Sequence, residues 1–277
     1  MQKPVRTVAA VHDLSGIGRC ALTVAIPVIS AMGAQVCPAP TACLSAHTGF
    51  SATRRIETID LTDFLGRMLD AWVETGEKFD CIYTGYLGSP AQAELIARFM
   101  DAQPQALKLV DPVMGDDGAL YSGITSEMAR AMQALCRRAT LITPNMTEYA
   151  CLTGERYSID QRTPAEIERM LDRLDAESAV ITSVPCDGGL VNACRDRTGK
   201  KSILPFRRMS RHYPGTGDLF ASVVCGSLMQ GDDLESAVHR AADYVSRTIE
   251  LSMDIDIDGN YGVQLEKTLP LLMRNNP

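Results

Sequence analysis

The sequence predicts a single α/β domain, built on a doubly wound, mostly parallel β-sheet with helices on both faces. Three observations lead to this fold class. Short apolar, β-branched segments alternate with segments whose apolar residues recur every three or four positions, as in buried strands and amphipathic helices. Polar or glycine-containing clusters follow the strand segments, where ligands bind in open parallel sheets. No composition shift, linker or repeat divides the chain, so we expect one domain over residues 1–277.

The composition is that of an ordinary globular protein, with 45% apolar and 22% charged residues. The formal net charge of −7 argues against nucleic acid or an anionic membrane as the main partner. Nine cysteines without a C-x-x-C pair are typical of reduced thiols in the cytoplasm. The sequence shows no signal-peptide pattern and no apolar run near the roughly 20 residues that span a bilayer. We therefore expect a cytoplasmic protein without a membrane segment.

Six strands are predicted from short apolar runs that end in polar or glycine-rich residues. Their residue ranges are 5–11, 35–45, 79–84, 107–110, 140–143 and 179–183. The second segment contains Pro38 and Pro40, and proline lacks the amide proton that a central strand needs. This segment is therefore predicted to be irregular or to lie at an edge. Two further extended segments, 189–194 and 202–206, flank Thr198 and Gly199, which predicts a hairpin.

Helices are predicted between these strands from apolar stripes and capping residues. The stripes cover residues 62–74, 125–137 and 234–250, and a further helix follows the first strand and ends near residue 32. Trp72, the only tryptophan, falls on the first of these stripes and is predicted to be a core residue. Two more helices begin at capping boxes, Ser89 with Gln92 and Thr163 with Glu166.

The segment 213–222 combines two glycines with the start of an apolar helix. Gly215 and Gly217 flank Thr216 and are followed by Asp218. Glycine lets the main chain approach a ligand closely, and the first amides of a helix have no partner inside it. These features favour an anion such as phosphate, and Asp218 would then suit a base that takes a proton from a hydroxyl. Taken alone, the segment is also consistent with a plain turn in which Asp218 begins a helix.

Polar clusters at other predicted strand ends would meet this loop at one edge of the sheet. Asp111 follows one strand, and Asn145 and Glu148 follow the next, where they would stand beside a hydrated magnesium ion. His47 and Thr48 follow the second strand and would bind a small polar ligand. Each cluster has a structural alternative: an Asx turn, a helix cap or a stabilised loop. Together they are the parts that phosphoryl transfer to a hydroxyl requires.

Other nucleotide and metal motifs are incomplete. Residues 194–201 lack the first glycine and the final Ser or Thr of a Walker loop. The acidic run 254–260 lacks the glutamate of a calcium loop, because Leu265 stands at its twelfth position. Only Gly16 and Gly18 match the dinucleotide fingerprint, which ranks a nicotinamide-dependent oxidoreductase low.

Five segments of the chain, among them Gly-Thr-Gly-Asp at 215–218 and Asn-Met-Thr-Glu at 145–148, are shared with one family. With the segments 45–48, 84–89 and 111–115, the chain resembles the ribokinase-like (PfkB-type) small-molecule kinases and, within them, the pyridoxal kinases. The resemblance covers most of the chain. It implies a ribokinase-like fold and ATP-dependent phosphorylation of the 5′-hydroxymethyl group of pyridoxal, pyridoxamine or pyridoxine.

The resemblance also implies roles for individual residues. Asp218 would deprotonate the hydroxyl, while the amides of Gly215, Thr216 and Gly217 would hold the charge of the phosphoryl group. The implied ATP-binding residues are Asp111, Asn145, Glu148, Ser183, Ile203 and Phe206. Of these, Asp111 and Glu148 would act through Mg²⁺. The implied substrate-binding residues are Asp13, Ser15, His47, Thr48 and Tyr86. Similar enzymes are homodimers, so we expect a homodimer that binds ATP and a small hydroxymethyl-pyridine.

Two departures from the family pattern leave the substrate open. The loop 13–19 does not align with the better-known pyridoxal kinases, and its Asp13 and Ser15 also resemble the hydroxymethylpyrimidine kinases. Ser183 replaces a lysine often found beside the phosphates. The rival hypotheses are a kinase of 4-amino-5-hydroxymethyl-2-methylpyrimidine and a non-catalytic binder of pyridoxal phosphate.

Overall fold

The computed structural model describes residues 4–121 and 123–273. Its strands are β1 (Thr7–Ser15), β2 (Gln35–Leu44), β3 (Thr58–Asp60), β4 (Cys81–Thr84), β5 (Leu107–Val110), β6 (Gly115–Asp116), β7 (Ala119–Leu120), β8 (Leu141–Ile142), β9 (Ser178–Cys186), β10 (Gly189–Arg195) and β11 (Lys201–Pro205). Nine of them form one sheet in the order β11-β10-β9-β8-β5-β4-β1-β2-β3. Pairing is parallel from β9 to β2 and antiparallel at both ends. The predicted mostly parallel sheet is confirmed.

Helices cover both faces of this sheet. They are α1 (Leu22–Ala31), α2 (Thr62–Glu74), α3 (Pro90–Ala102), α4 (Ser126–Cys136), α5 (Met146–Thr153), α6 (Pro164–Arg173), α7 (Thr216–Gln230) and α8 (Leu234–Met253). One apolar core packs under α2 to α6, and the other packs under α1, α7 and α8. Neighbouring residues of β1 alternate between them, with Ala9 in the first core and Val8 in the second. The doubly wound α/β fold is therefore confirmed.

Several local predictions are also confirmed. Trp72 packs against the first core, with its ring centroid 5.1 Å from that of Phe79. β3 pairs only with residues 42–44 of β2, so the part of β2 that holds Pro38 and Pro40 lies at an open edge. The predicted hairpin is formed by β10 and β11, and Gly199 in its turn has a φ of 87°.

Other boundaries differ from the predictions. β1 continues to Ser15 rather than ending at residue 11, because its later residues pair with residues 43 and 44 of β2. Only half of the capping box predicted at Ser89 and Gln92 is present. Ser89 accepts a hydrogen bond from the Gln92 amide, but the Gln92 side chain accepts one from the Gly88 amide at 2.8 Å instead of the Ser89 amide. The reciprocal box at Thr163 and Glu166 is present as predicted.

Candidate active site

The candidate residues meet at the edge of the sheet where the parallel strands end. β8, β5, β4 and β1 are neighbours in the sheet. Asn145 follows β8, Asp111 follows β5, Tyr86 follows β4, and Asp13 lies at the end of β1. Parallel strands present their carboxyl ends at one edge, so these side chains border a single crevice. The helix α7 begins at the same edge, since the charge of Asp218 acts on Asp111.

The glycine loop holds α7 against the segment that precedes α1. Gly215 has a φ of 79°, and a Cβ atom at this residue would lie 2.0 Å from the carbonyl oxygen of Arg19. Only glycine fits both the backbone angle and this close approach. A Cβ at Gly217, in contrast, would meet no atom within 4 Å. The loop is therefore closed on one side at Gly215 and open at Gly217, beside the unpaired amides of the first helical turn.

Asp218 lies in the first turn of α7 and accepts a hydrogen bond from the Ala21 amide at 2.9 Å. Ala21 has a φ of 49°, a positive value that is rare for a residue with a side chain. Burial raises the pKa of Asp218 to about 7, the charge of Asp13 adds to this effect, and the Ala21 amide opposes it. A carboxyl group with a pKa near 7 is well matched to accept a proton at neutral pH.

Asp111 is only 6% exposed and accepts a hydrogen bond from the Thr143 hydroxyl at 3.1 Å. Its amide donates to the carbonyl oxygen of Thr84 at 2.8 Å, which fixes the chain as it leaves the sheet. Burial raises the pKa of Asp111 to about 7, and the charge of Asp218 acts in the same direction. The two carboxylates therefore repel each other across the crevice.

Glu148 and Asn145 form a complete capping box at the start of α5. The two oxygens of Glu148 accept amide protons from Met114, at 3.1 Å, and Asn145, at 2.9 Å. The Asn145 side chain also donates to the carbonyl oxygen of Gly115 at 2.8 Å. Burial raises the pKa of Glu148 well above its ordinary value, and the charge of Asp111 raises it further. The cap is therefore present, and burial together with Asp111 disfavours the ionised form of Glu148 in the crevice.

The residues fit a magnesium ion that is held mainly by phosphates and water. Asp111, Glu148 and Asp218 form no ion pair with a basic side chain in residues 4–121 and 123–273. Their raised pKa values show that ionisation of these buried carboxyl groups is unfavourable, and a bound cation would favour their ionised forms. Residues 4–121 and 123–273 contain no ready cage of three or more His, Cys, Asp or Glu side chains. Mg²⁺ needs no such cage, because it binds through one or two carboxylates and substrate phosphates.

The substrate-side candidates are in two settings. Asp13 is buried, accepts a hydrogen bond from the Ser15 hydroxyl at 2.9 Å, and raises the pKa of the partly buried Tyr86 after the larger effect of burial. Thr48 is exposed at the start of a 3₁₀ helix. His47 uses both ring nitrogens, one with the carbonyl oxygen of Asn260 at 2.6 Å and one with the Gly49 amide at 3.1 Å. In this arrangement His47 stabilises the loop.

Of the other nucleotide-side candidates, Ile203 and Phe206 pack on opposite faces of the sheet. Ser183 lies in β9, is exposed and has a φ of 58°, and its amide donates to the Asn192 side chain at 3.1 Å. Ile203 packs against the core under α2 to α6. Phe206 packs against the core on the other face of the sheet. The contact of both apolar side chains with one adenine ring therefore stays a prediction.

Sequence reasoning missed the hairpin β6–β7 and the residue that follows it, Tyr121. Burial raises the pKa of Tyr121, and the charges of Asp116, Glu148 and Asp218 act in the same direction. Tyr121 is 43% exposed, and the influence of these charges places it near Glu148 and Asp218. A local sequence signal was present, because Asp-Gly at 117–118 is a common hairpin turn. In the structure both residues have positive φ values, as such a turn requires.

This arrangement defines a class of protein. A helix N-terminus behind a glycine loop, a carboxylate with a pKa near 7 and a second acidic group at the end of a parallel strand are the parts of a small-molecule phosphotransferase.

Comparison with known proteins identifies the family. Residues 25–263 match the family of phosphomethylpyrimidine kinase, and the chain belongs to this family. A curated relative from Bordetella avium, a pyridoxine/pyridoxal/pyridoxamine kinase, is 32% identical over 253 residues, which cover 87% of this chain and 84% of the relative. The predicted ribokinase-like kinase family is confirmed.

Solved structures agree with this assignment. A Bacteroides thetaiotaomicron protein provisionally described as a phosphomethylpyrimidine kinase, crystallised with pyridoxal, is 41% identical with a TM-score of 0.89, and covers 97% of this chain and 96% of its own. Pyridoxal kinase from Lactobacillus plantarum is 32% identical with a TM-score of 0.88, and 97% of each chain is covered. Within the described residues, no helix has the length and apolar character needed to cross a membrane.

Proposed function

We propose that this chain is an ATP-dependent kinase that phosphorylates the 5′-hydroxymethyl group of a vitamin B6 form. The observation that carries the proposal is Asp218, a carboxylate with a pKa near 7 at the first turn of a helix whose glycine loop is open at Gly217. The similarity to B6 kinases over 87% of the chain supports the choice of substrate.

In the proposed mechanism, Asp218 accepts the proton of the substrate hydroxyl as the oxygen attacks the γ-phosphorus of ATP. The bond from this phosphorus to the β-γ bridging oxygen breaks, and ADP leaves with that oxygen. The amides of Gly215, Thr216 and Gly217 hold the negative charge of the transferred group. The Thr216 hydroxyl donates to the carbonyl oxygen of Tyr213 at 3.0 Å and so fixes the loop.

Asp111 and Glu148 are proposed to hold Mg²⁺, together with the phosphates of ATP. When bound, Mg²⁺ neutralises charge on the phosphates. Asp13, Ser15, Thr48 and Tyr86 are proposed to bind the substrate ring, and Asn145 and Ser183 to border the nucleotide. We also propose that the protein is a cytoplasmic homodimer and that residues 1–277 form one domain.

A kinase of hydroxymethylpyrimidine is the second candidate. It is favoured by the family that residues 25–263 match and by the description of the Bacteroides protein. The two activities share the same crevice chemistry, since each transfers a phosphoryl group to a hydroxymethyl group on a nitrogen-containing ring. Only the groups around the ring distinguish the substrates.

The test is ADP formation by the purified chain with Mg²⁺ and ATP, offering pyridoxal, pyridoxine, pyridoxamine and 4-amino-5-hydroxymethyl-2-methylpyrimidine in parallel. We expect the highest kcat/KM with a B6 form. A strong preference for the pyrimidine would be consistent with the proposed mechanism but would identify the pyrimidine, rather than a B6 form, as the substrate. Tight binding of pyridoxal phosphate without turnover of any compound would favour a non-catalytic binder.

A further inference from the structure

A second polar groove lies on the outer side of α5 and α6, next to the segment that joins these helices. Its volume is about 310 Å³. Its charged lining residues are Arg156, Arg162, Arg169, Arg173, Glu155 and Glu166. None of the residues assigned to the catalytic crevice lines it. We call it the arginine groove.

The arginine groove has more positive than negative charge. Arg173 pairs with Glu155. Glu166 accepts hydrogen bonds from the amide and hydroxyl of Thr163, so its carboxylate is occupied by the helix cap. Four arginines against two glutamates leave an excess of two positive charges in a chain whose formal net charge is −7.

Three of the arginines lack a fixed partner. Arg156, Arg162 and Arg169 form no ion pair in the part of the chain that the structure describes. A planar guanidinium group presents two parallel donors to an oxyanion, which suits a phosphate group better than a single point charge does. The groove therefore offers donors and charge in excess of what the chain itself uses.

The floor of the groove is apolar and aromatic. Met146, Tyr149 and Met170 line it. Tyr149 is 2% exposed, and its hydroxyl has no hydrogen-bond partner among the described residues. Burial raises the pKa of Tyr149, whereas the charge of Arg173, the neighbouring Thr153 side chain and the charge of Arg162 act in the opposite direction, so both guanidinium groups lie near the phenol. A bound ligand, or a water molecule beneath it, would satisfy this buried donor.

We propose that the arginine groove binds a small phosphate monoester that carries a ring. The two excess charges match the charge of a phosphate monoester, about −1.5 to −2 at neutral pH. The methionine and tyrosine side chains provide the apolar surface against which a ring packs. This site is separate from the proposed catalytic crevice and does not depend on the identity of the substrate.

The test is calorimetric titration of the full chain with phenyl phosphate. Wild type is compared with the double variant Arg156→Gln, Arg169→Gln. The matched control is Arg67→Gln with Arg98→Gln, which removes the same charge from exposed positions on α2 and α3. Benzenesulfonate, a monoanion of similar shape, is titrated as the second ligand. We expect the groove variant to bind phenyl phosphate about tenfold or more weakly, the control to bind like wild type, and benzenesulfonate to bind more weakly than phenyl phosphate.

Three results would overturn the proposal. The first is that phenyl phosphate fails to bind wild type. The second is that both double variants lose the same affinity, and the third is that the groove variant binds as tightly as wild type. The last result would assign the anion to the catalytic crevice. Binding is read directly, so loss of kinase activity and loss of this site are distinguishable.

Discussion

Asp111 and Asp218 lower the stability of the folded chain when they are ionised. Burial raises the pKa of each to about 7, from an ordinary value near 3.8, and the charge of Asp218 adds to the effect on Asp111. A carboxyl group whose pKa is raised by folding binds its proton more tightly in the folded chain. The contribution of this group to the free energy of unfolding is therefore largest below about pH 4 and is lost as the pH rises through about 7. Such a cost is typical of a functional site.

Asp111→Asn is therefore expected to stabilise the ligand-free protein. The amide has no charge to desolvate, and its oxygen can still accept the hydrogen bond from Thr143. A tenfold change in proton affinity corresponds to about 1.4 kcal/mol, so we expect a gain of roughly 1 to 4 kcal/mol in the free energy of unfolding at pH 8. The gain should shrink at pH 5. Urea unfolding at both pH values measures it, and kinase activity should fall.

The control is Asp70→Asn, which changes an exposed carboxylate on α2. We expect its stability to stay within about 0.5 kcal/mol of wild type. A destabilised Asp111→Asn protein at pH 8 would show that the hydrogen bond to Thr143 needs the charged form and that repulsion in the crevice is unimportant.

At the level of the element, the glycine loop separates a structural requirement from a functional one. Gly215→Ala forces a Cβ into the carbonyl oxygen of Arg19 at a φ of 79°. Gly217→Ala places its Cβ in open space. We expect Gly215→Ala to lower the free energy of unfolding by about 1 to 3 kcal/mol. We expect Gly217→Ala to unfold like wild type but to have a lower kcat, because its methyl group lies where the phosphoryl group is proposed to bind.

Thermal unfolding and steady-state kinetics on both proteins test this difference. Wild-type turnover in Gly217→Ala would mean that the phosphoryl group does not approach this part of the loop. Equal destabilisation of the two variants would contradict the contrast between the closed and open sides of the loop.

The N-terminus of α5 allows the helix cap to be separated from the metal role. Glu148→Gln removes the charge and one of the two acceptors used by Met114 and Asn145. Glu166→Gln alters the equivalent capping box of α6. We expect the Mg²⁺ concentration for half-maximal activity to rise roughly tenfold in Glu148→Gln and to stay unchanged in Glu166→Gln. Equal Mg²⁺ titrations for wild type and Glu148→Gln would show that Glu148 serves only in the helix cap and has no metal role.

At the level of the whole molecule, local patterns predicted the order and type of the main elements. The clusters at Asp111 and Asn145 could be placed at one edge because parallel strands end together. Long-range contacts could not be predicted. The partner of His47, the carbonyl oxygen of Asn260, is far along the chain, and nothing near His47 indicates it. The positive φ of Ala21 depends in the same way on the packing of distant segments.

The length of β1 shows the same limit. Polar residues such as Asp13 indicate the end of a strand when only local sequence is considered. In the structure, pairing with residues 43 and 44 of β2 extends the strand and buries Asp13 beside the crevice. The fold class therefore followed from periodicity, whereas the exact positions of site residues depended on neighbours in space.

The most direct test of the proposed mechanism is the kcat of Asp218→Asn with ATP, Mg²⁺ and the preferred B6 form at saturating concentrations. Asparagine can keep the hydrogen bond from the Ala21 amide but cannot accept the substrate proton as a carboxylate does. We expect kcat to fall about 100- to 10,000-fold, while the affinity for ATP stays within a few-fold of wild type. A kcat within a few-fold of wild type would contradict the role of Asp218 as the base.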